Sequence, residues 1–192
     1  MKNIFIEGPV QTGKSTLLRK ILKDIYGQNL DGIYGFTSQR IIDRDGNLLG
    51  FRLAPANAAL AMEVDATDGI NTCLPNTFKW FTPNGAKVDM RVFESAGISY
   101  LNEAMEAAKS GLARAILLDE VGGHEMSSDS FRNRLYELLE LDVPCVGVIK
   151  SAENTRRMDR SLMDFNGELH RRVWVVTQFE EFEQKLRDNL CR

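Results

Sequence analysis

The sequence is poor in residues that stabilise a protein without a large core. Its 192 residues include three cysteines, two histidines and five prolines. Cys73, Cys145 and Cys191 are widely spaced and odd in number, which fits no zinc or Cys-x-x-Cys pattern and suits a reduced compartment. His124 and His170 lie far apart, so a structural metal cage is not expected. Strongly apolar stretches such as Ala115 to Leu118 fall well short of the roughly 20 residues a membrane helix needs. Met1-Lys2-Asn3 runs straight into Ile4-Phe5-Ile6, without the longer apolar segment and cleavage site of a signal peptide. A cytoplasmic protein with no membrane partner is expected. Charge of one sign is also scarce. With 24 basic and 27 acidic residues, the net charge is −3, which argues against a dedicated nucleic-acid binder.

What is present is enough apolar surface for a core, at 43% hydrophobic and 27% charged residues. The length fits one domain over residues 1–192. Asn3 to Glu7 reads as a strand buried on both faces, with Ile4 and Ile6 opposite Phe5. Leu17, Leu18, Ile21, Leu22 and Ile25 then recur at helical spacing up to Gly27. Ile98, Leu101, Met105 and Ala108 predict a second helix, and Phe131, Leu135, Leu138 and Leu139 a third, started by serines and Asp129. Arg114 to Asp119, Pro144 to Ile149 and Val173 to Val176 read as strands. Thr177-Gln178-Phe179-Glu180 has capping-box spacing ahead of a terminal helix. Strand and helix in alternation predict an α/β fold with a mainly parallel sheet. Asp45-Gly46 and Asn84-Gly85 mark hairpin turns, so residues 33–93 are expected to add a β-hairpin extension to that core.

Gly8-Pro9-Val10-Gln11-Thr12-Gly13-Lys14-Ser15 matches GxxxxGK[ST], the Walker A pattern, between the first strand and the first helix. In such a loop the backbone N–H groups surround phosphate oxygens and the helix N-terminus adds its positive end. Lys14 reaches the β- and γ-phosphates and the Ser15 hydroxyl coordinates Mg²⁺. Residues Gly8 to Thr16, Thr16 included, are the expected nucleotide-binding set. Downstream, Ala115-Ile116-Leu117-Leu118 ends in Asp119-Glu120. An acid at that point holds Mg²⁺ through water, a role that suits Asp119. Glu120, pointing differently, is placed to orient or deprotonate an attacking water.

Together these pieces resemble the cancer-related nucleoside-triphosphatase family. That family pairs its phosphate loop with an Asp-Glu-Ile-Gly-Lys-Met-Glu type motif, where this chain has Asp119-Glu120-Val121-Gly122-Gly123-His124-Glu125-Met126. Gly35-Phe36-Thr37 with Arg40, Gly50-Phe51-Arg52 and Val175-Val176-Thr177 are similar to further family segments. The resemblance implies a P-loop three-layer sandwich of RecA-like type, a nucleoside triphosphate as partner, Mg²⁺ as cofactor, and Lys14 and Glu120 as catalytic residues. Two positions depart from the family. Gln11 stands where its loop usually has glycine, and Gly123 where its acidic motif has lysine.

Weaker candidates surround these motifs. Arg156, Arg157 and Arg160 follow the strand ending at Ile149, and any of them, or Arg40 or Lys150, is a candidate for stabilising transition-state charge. His124 and Trp80 are candidate substrate contacts, though a surface loop and hairpin packing explain them as well. Cys145 reads as core. No Asn-Lys-x-Asp guanine-reading motif is present. The leading expectation is a Mg²⁺-dependent nucleoside triphosphatase releasing NDP and phosphate. A small-molecule kinase using ATP, with an acceptor pocket in residues 50–93, and a nucleotide-binding regulatory module with little turnover are the alternatives.

Overall fold

The computed structural model describes residues 3–27, 30–57, 63–65 and 74–191. Cys73 lies outside them. Among these residues nine strands, with β3 (Leu48–Pro55), β4 (Glu63–Asp65), β5 (Thr77–Thr82) and β6 (Gly85–Val88) following the first two, form one sheet in the order β6-β5-β3-β2-β7-β8-β1-β9, with β4 paired to β2 beside this path. The core strands are β1 (Ile4–Glu7), β2 (Ile33–Ile42), β7 (Ala115–Val121), β8 (Cys145–Ile149) and β9 (Trp174–Val176). Each pairs in parallel with its neighbour. The first core strand thus sits between the last two, and strands of sequential crossovers fan out on one side. This order matches the RecA-like expectation.

Both faces of the parallel sheet are covered, so its strands alternate between two cores rather than between core and water. Phe5, Ile116, Leu118 and Cys145 face one core, which includes Leu101 and Met105 of α2 (Ile98–Lys109), Phe131 and Leu135 of α3 (Asp129–Glu140), and Leu169 of α5 (Met163–Arg172). Ile4, Ile6, Leu117 and Val146 face the other, with Leu18 and Ile21 of α1 (Lys14–Tyr26) and Phe182 and Leu186 of α6 (Phe179–Leu190). The result is three layers, as expected. Cys145 is fully buried.

Both hairpin turns form. Asp43 accepts from the amides of Asp45 and Asn47 at the first, between β2 and β3 (Leu48–Pro55). The second joins β5 (Thr77–Thr82) to β6 (Gly85–Val88). Strands β3, β5 and β6 run antiparallel. The extension begins later than residue 33, however. Ile33 to Phe36 pair with β7 inside the parallel core, while Phe36 to Ile42 pair with β3. One long strand is therefore both core and extension. The rings of Phe36, Phe131, Phe93, Phe78 and Phe51 follow one another at centroid distances of 4.9–6.3 Å, an apolar chain that ties the hairpins to α3.

Helix starts divide by whether a side chain reaches the free amides. Ser128 Oγ accepts from the Phe131 amide at the start of α3. Ser151 does the same for Asn154 at α4 (Ala152–Met158). The capping box read at Thr177 does not form. Gln178 is the capping position of α6 and makes no side-chain bond, and Thr177 is exposed. Burial of Phe182 and Leu186 holds that helix instead.

Candidate functional site

Strand β1 ends at Glu7, and the chain turns through residues 8–13 before entering α1. Gly13, at the helix start, has φ of 87°, a left-handed conformation that glycine adopts without a steric cost. Gln11 has φ of 61°. The loop thus keeps a left-handed backbone at this position with a side chain present, at a cost of roughly 1–2 kcal/mol. Lys14 folds back over the loop, its Nζ donating to the Gly8 carbonyl at 3.1 Å and also to that of Pro9. Burial lowers its pKa, with Glu120 and Asp119 opposing the shift.

The acidic strand end lies against this loop. Ser15 Oγ donates to Asp119 Oδ1 at 2.7 Å. The other carboxylate oxygen accepts from Arg19 Nη2 at 2.7 Å and Thr37 Oγ1 at 2.8 Å. Asp119 is 1% exposed. Burial raises its pKa, and the Arg19 guanidinium pulls it the other way. Arg19 lies one turn beyond Ser15 on α1 and Thr37 lies on β2, so three elements converge on one carboxylate. Sequence reading missed both partners. The spacing Lys14, Ser15, Arg19 was the available signal, since residues four apart share a helix face.

Glu120 sits at an irregularity inside β7. Its φ is 67°, and the β7–β8 register shifts between Leu118 and Val121. Its carboxylate is 41% exposed, whereas that of Asp119 is buried. The two neighbouring acids thereby occupy different environments, one buried and one open.

A cleft of about 840 Å³ joins these groups. Gly8, residues 10–16, Arg19 and Glu120 line it, and it continues to Ser38 and Arg40 of β2, Phe51 of β3 and Phe78 and Lys79 of β5. The hairpin extension therefore forms one wall. Lys79 was not singled out by sequence reading, because nothing local marks it. Its pKa is lowered by burial and by Lys150. His124 also lines the cleft, and burial lowers its pKa. Arg157 reaches the rim, where it pairs with Glu153. Arg156 and Arg160 are exposed and are not among the lining residues. Trp80 packs over Gly50, within the hairpins, as the packing reading expected.

The donor chemistry fits a magnesium ion. Ser15 and Asp119 offer hard oxygens, beside a loop whose amides suit phosphate. Mg²⁺ is held by one or two protein oxygens plus phosphates and water, without a dedicated cage. Among the described residues no group of three or more His, Cys, Asp or Glu side chains could form such a cage, and no helix is long and apolar enough to cross a membrane.

A phosphate loop between a parallel strand and a helix, facing an acidic strand end across the sheet, defines a P-loop nucleotide-binding protein. Comparison with known proteins narrows this class. The sequence model described as "NTPase" matches residues 3–178, and the chain belongs to that family of nucleoside triphosphatases. A nucleoside-triphosphatase THEP1 from Thermotoga sp. (strain RQ2) is 26% identical over 153 residues, spanning 79% of this chain and 75% of that protein. The crystal structure of THEP1 from Aquifex aeolicus superposes with a TM-score of 0.65 at 22% identity, covering all of both chains. The solution structure of a human cancer-related nucleoside triphosphatase gives 0.60 at 19% identity, covering 98% of this chain and 95% of that one.

Proposed function

We propose that this single-domain chain binds a nucleoside triphosphate at Gly8 to Thr16 and hydrolyses its β–γ bond with Mg²⁺. The 2.7 Å bond between Ser15 and Asp119 carries this reading, because it puts the phosphate loop and the acidic strand end into one site. The loop amides and α1 N-terminus receive the phosphate oxygens. Lys14 exchanges its carbonyl partners in the loop for β- and γ-oxygens. Ser15 would hold Mg²⁺ directly and Asp119 through water, with Arg19 and Thr37 orienting the carboxylate. The metal, when bound, neutralises charge that develops on the phosphates.

Glu120 faces the cleft and accepts a proton from the attacking water, whose oxygen displaces the NDP leaving group at the γ-phosphorus. Its exposure leaves the carboxylate open to a water entering from the cleft, as a general base requires. Positioning and charge stabilisation are most of what this chemistry asks of a protein.

The test is phosphate release from each NTP with Mg²⁺ and no other substrate. Release is expected, falling about 10²-fold or more in Lys14→Ala and Glu120→Gln. NDP that forms only when a hydroxyl-bearing acceptor is added, with the phosphoryl group on that acceptor and no free phosphate, would replace hydrolysis with a kinase reaction. Tight binding without turnover under either condition would make the chain a nucleotide-binding module.

A further inference from the structure

Lys150 follows β8 and enters the site from the strand next to the one carrying Glu120. Its Nζ donates to the Glu120 carbonyl at 2.9 Å and lies 3.6 Å from Glu120 Oε2. One ammonium thus contacts both the backbone and the carboxylate of the residue at the irregularity in β7. A carbonyl displaced by a left-handed turn loses its place in the ladder and needs a new donor. Lys150 supplies it.

The backbone of Lys150 is itself fixed. Its N–H donates to the Val121 carbonyl at 2.8 Å, and its carbonyl accepts from Asn166 Nδ2 at 3.0 Å. The same amide lies 3.3 Å from the Gly122 carbonyl, which also accepts from Thr155 Oγ1 at 3.0 Å. The segments after β7 and β8 are therefore clamped together, and the lysine stem starts from a held position.

Gly123 provides room for that stem. A β-carbon there would lie 3.0 Å from Cδ and from Cε of Lys150, and 3.0 Å from Glu125 Oε2. Its φ is −116°, so no left-handed backbone requires glycine. A side chain there would instead press on the lysine stem and on Glu125.

We propose that Lys150 is a positioning residue for the hydrolytic step, holding Glu120 in its turned-out conformation, and that Gly123 is small to admit the lysine stem. This rests on Glu120 being the base. Neighbouring charges agree with an ammonium here. Burial lowers the Lys150 pKa, but Glu120, Glu125 and Asp119 together raise it above the ordinary lysine value.

The test is a double-mutant cycle on the full chain, with steady-state hydrolysis, equilibrium binding of a non-hydrolysable NTP analogue and thermal melting read in parallel. Lys150→Met is expected to lower kcat about 10²-fold, with analogue Kd changed less than about 3-fold, because the loop is untouched. Gly123→Ala is expected to lower kcat in the same direction by crowding the stem. Because Lys150 acts through Glu120, Glu120→Gln/Lys150→Met is expected to be no slower than Glu120→Gln alone. Wild-type kcat in Lys150→Met or in Gly123→Ala would overturn the proposal, as would a further large loss in the double variant. Wild-type hydrolysis by Glu120→Gln would instead overturn the role given to Glu120, and the two failures are distinct.

Discussion

Asp119 and Glu120 show how one backbone dihedral separates two adjacent carboxylates. Asp119 stays in the strand, where burial makes its charge costly and Arg19 offsets it. Glu120 turns at φ of 67° into the cleft, where water and Lys150 stabilise it. His124, four residues on, is partly buried. Burial and the nearby Lys79 and Lys150 charges lower its pKa, with Glu125 opposing. The unfolded chain therefore binds a proton at a pH where the folded imidazole is still neutral. His124 contributes stability above its unfolded value of about 6.5, and that contribution is lost as pH falls toward the folded value. Urea midpoints measured from pH 8 to 5 should fall less steeply for His124→Gln than for the wild type. Parallel slopes would show that the imidazole is not held neutral. At this scale the Walker A loop and the acid pair were legible, because each is a contiguous string with its own chemistry. Arg19, Thr37 and Lys79 were not, since each acquires its role from a partner 18 or more positions away, as Arg19 does from Thr37 and Asp119.

Strands were legible wherever both faces are buried, because a run such as Ala115 to Leu118 admits few other readings. The double role of β2 was not, since pairing with β7 at one end and β3 at the other leaves no mark in its own residues. The α6 capping box failed because spacing alone does not set the chain's entry angle. Packing between strands is close where β8 lies between β1 and β7. A β-carbon on Gly147 would sit 2.1 Å from the Leu118 carbonyl oxygen and 2.5 Å from the Phe5 ring. Neither neighbour can move away, since one is backbone and the other is fully buried. Gly147→Ala should destabilise by about 3 kcal/mol, lowering Tm by about 6–12 °C for a chain of this size. Calorimetry or a circular-dichroism melt checks this, and an unchanged Tm would mean that the sheet can spread at β8.

Across the whole molecule, charge is placed singly rather than in a field. The balance of 24 basic and 27 acidic residues leaves no bulk attraction for a polyanion, yet Lys14, Arg19, Arg40, Lys79 and Lys150 all line one cleft. Lys14 donates to loop carbonyls, and Asp119 accepts from Ser15, Arg19 and Thr37, so the chain's own bonds hold the side chains of the proposed site. A preassembled site spends little binding free energy on ordering, and binding to the folded state alone must then raise global stability. At a ligand concentration 100 times Kd the gain is about 2.7 kcal/mol, or a Tm rise of about 5–10 °C. That rise is expected with a non-hydrolysable NTP analogue and Mg²⁺, and should shrink when EDTA removes the metal, because Ser15 and Asp119 then face the phosphates without it. Lys14→Ala should abolish most of it while leaving the Tm without ligand nearly unchanged, since the hydrogen bonds of its ammonium all go to its own loop. An undiminished rise in that variant would place the triphosphate elsewhere in the cleft, against the hairpin wall formed by Phe51, Phe78 and Lys79.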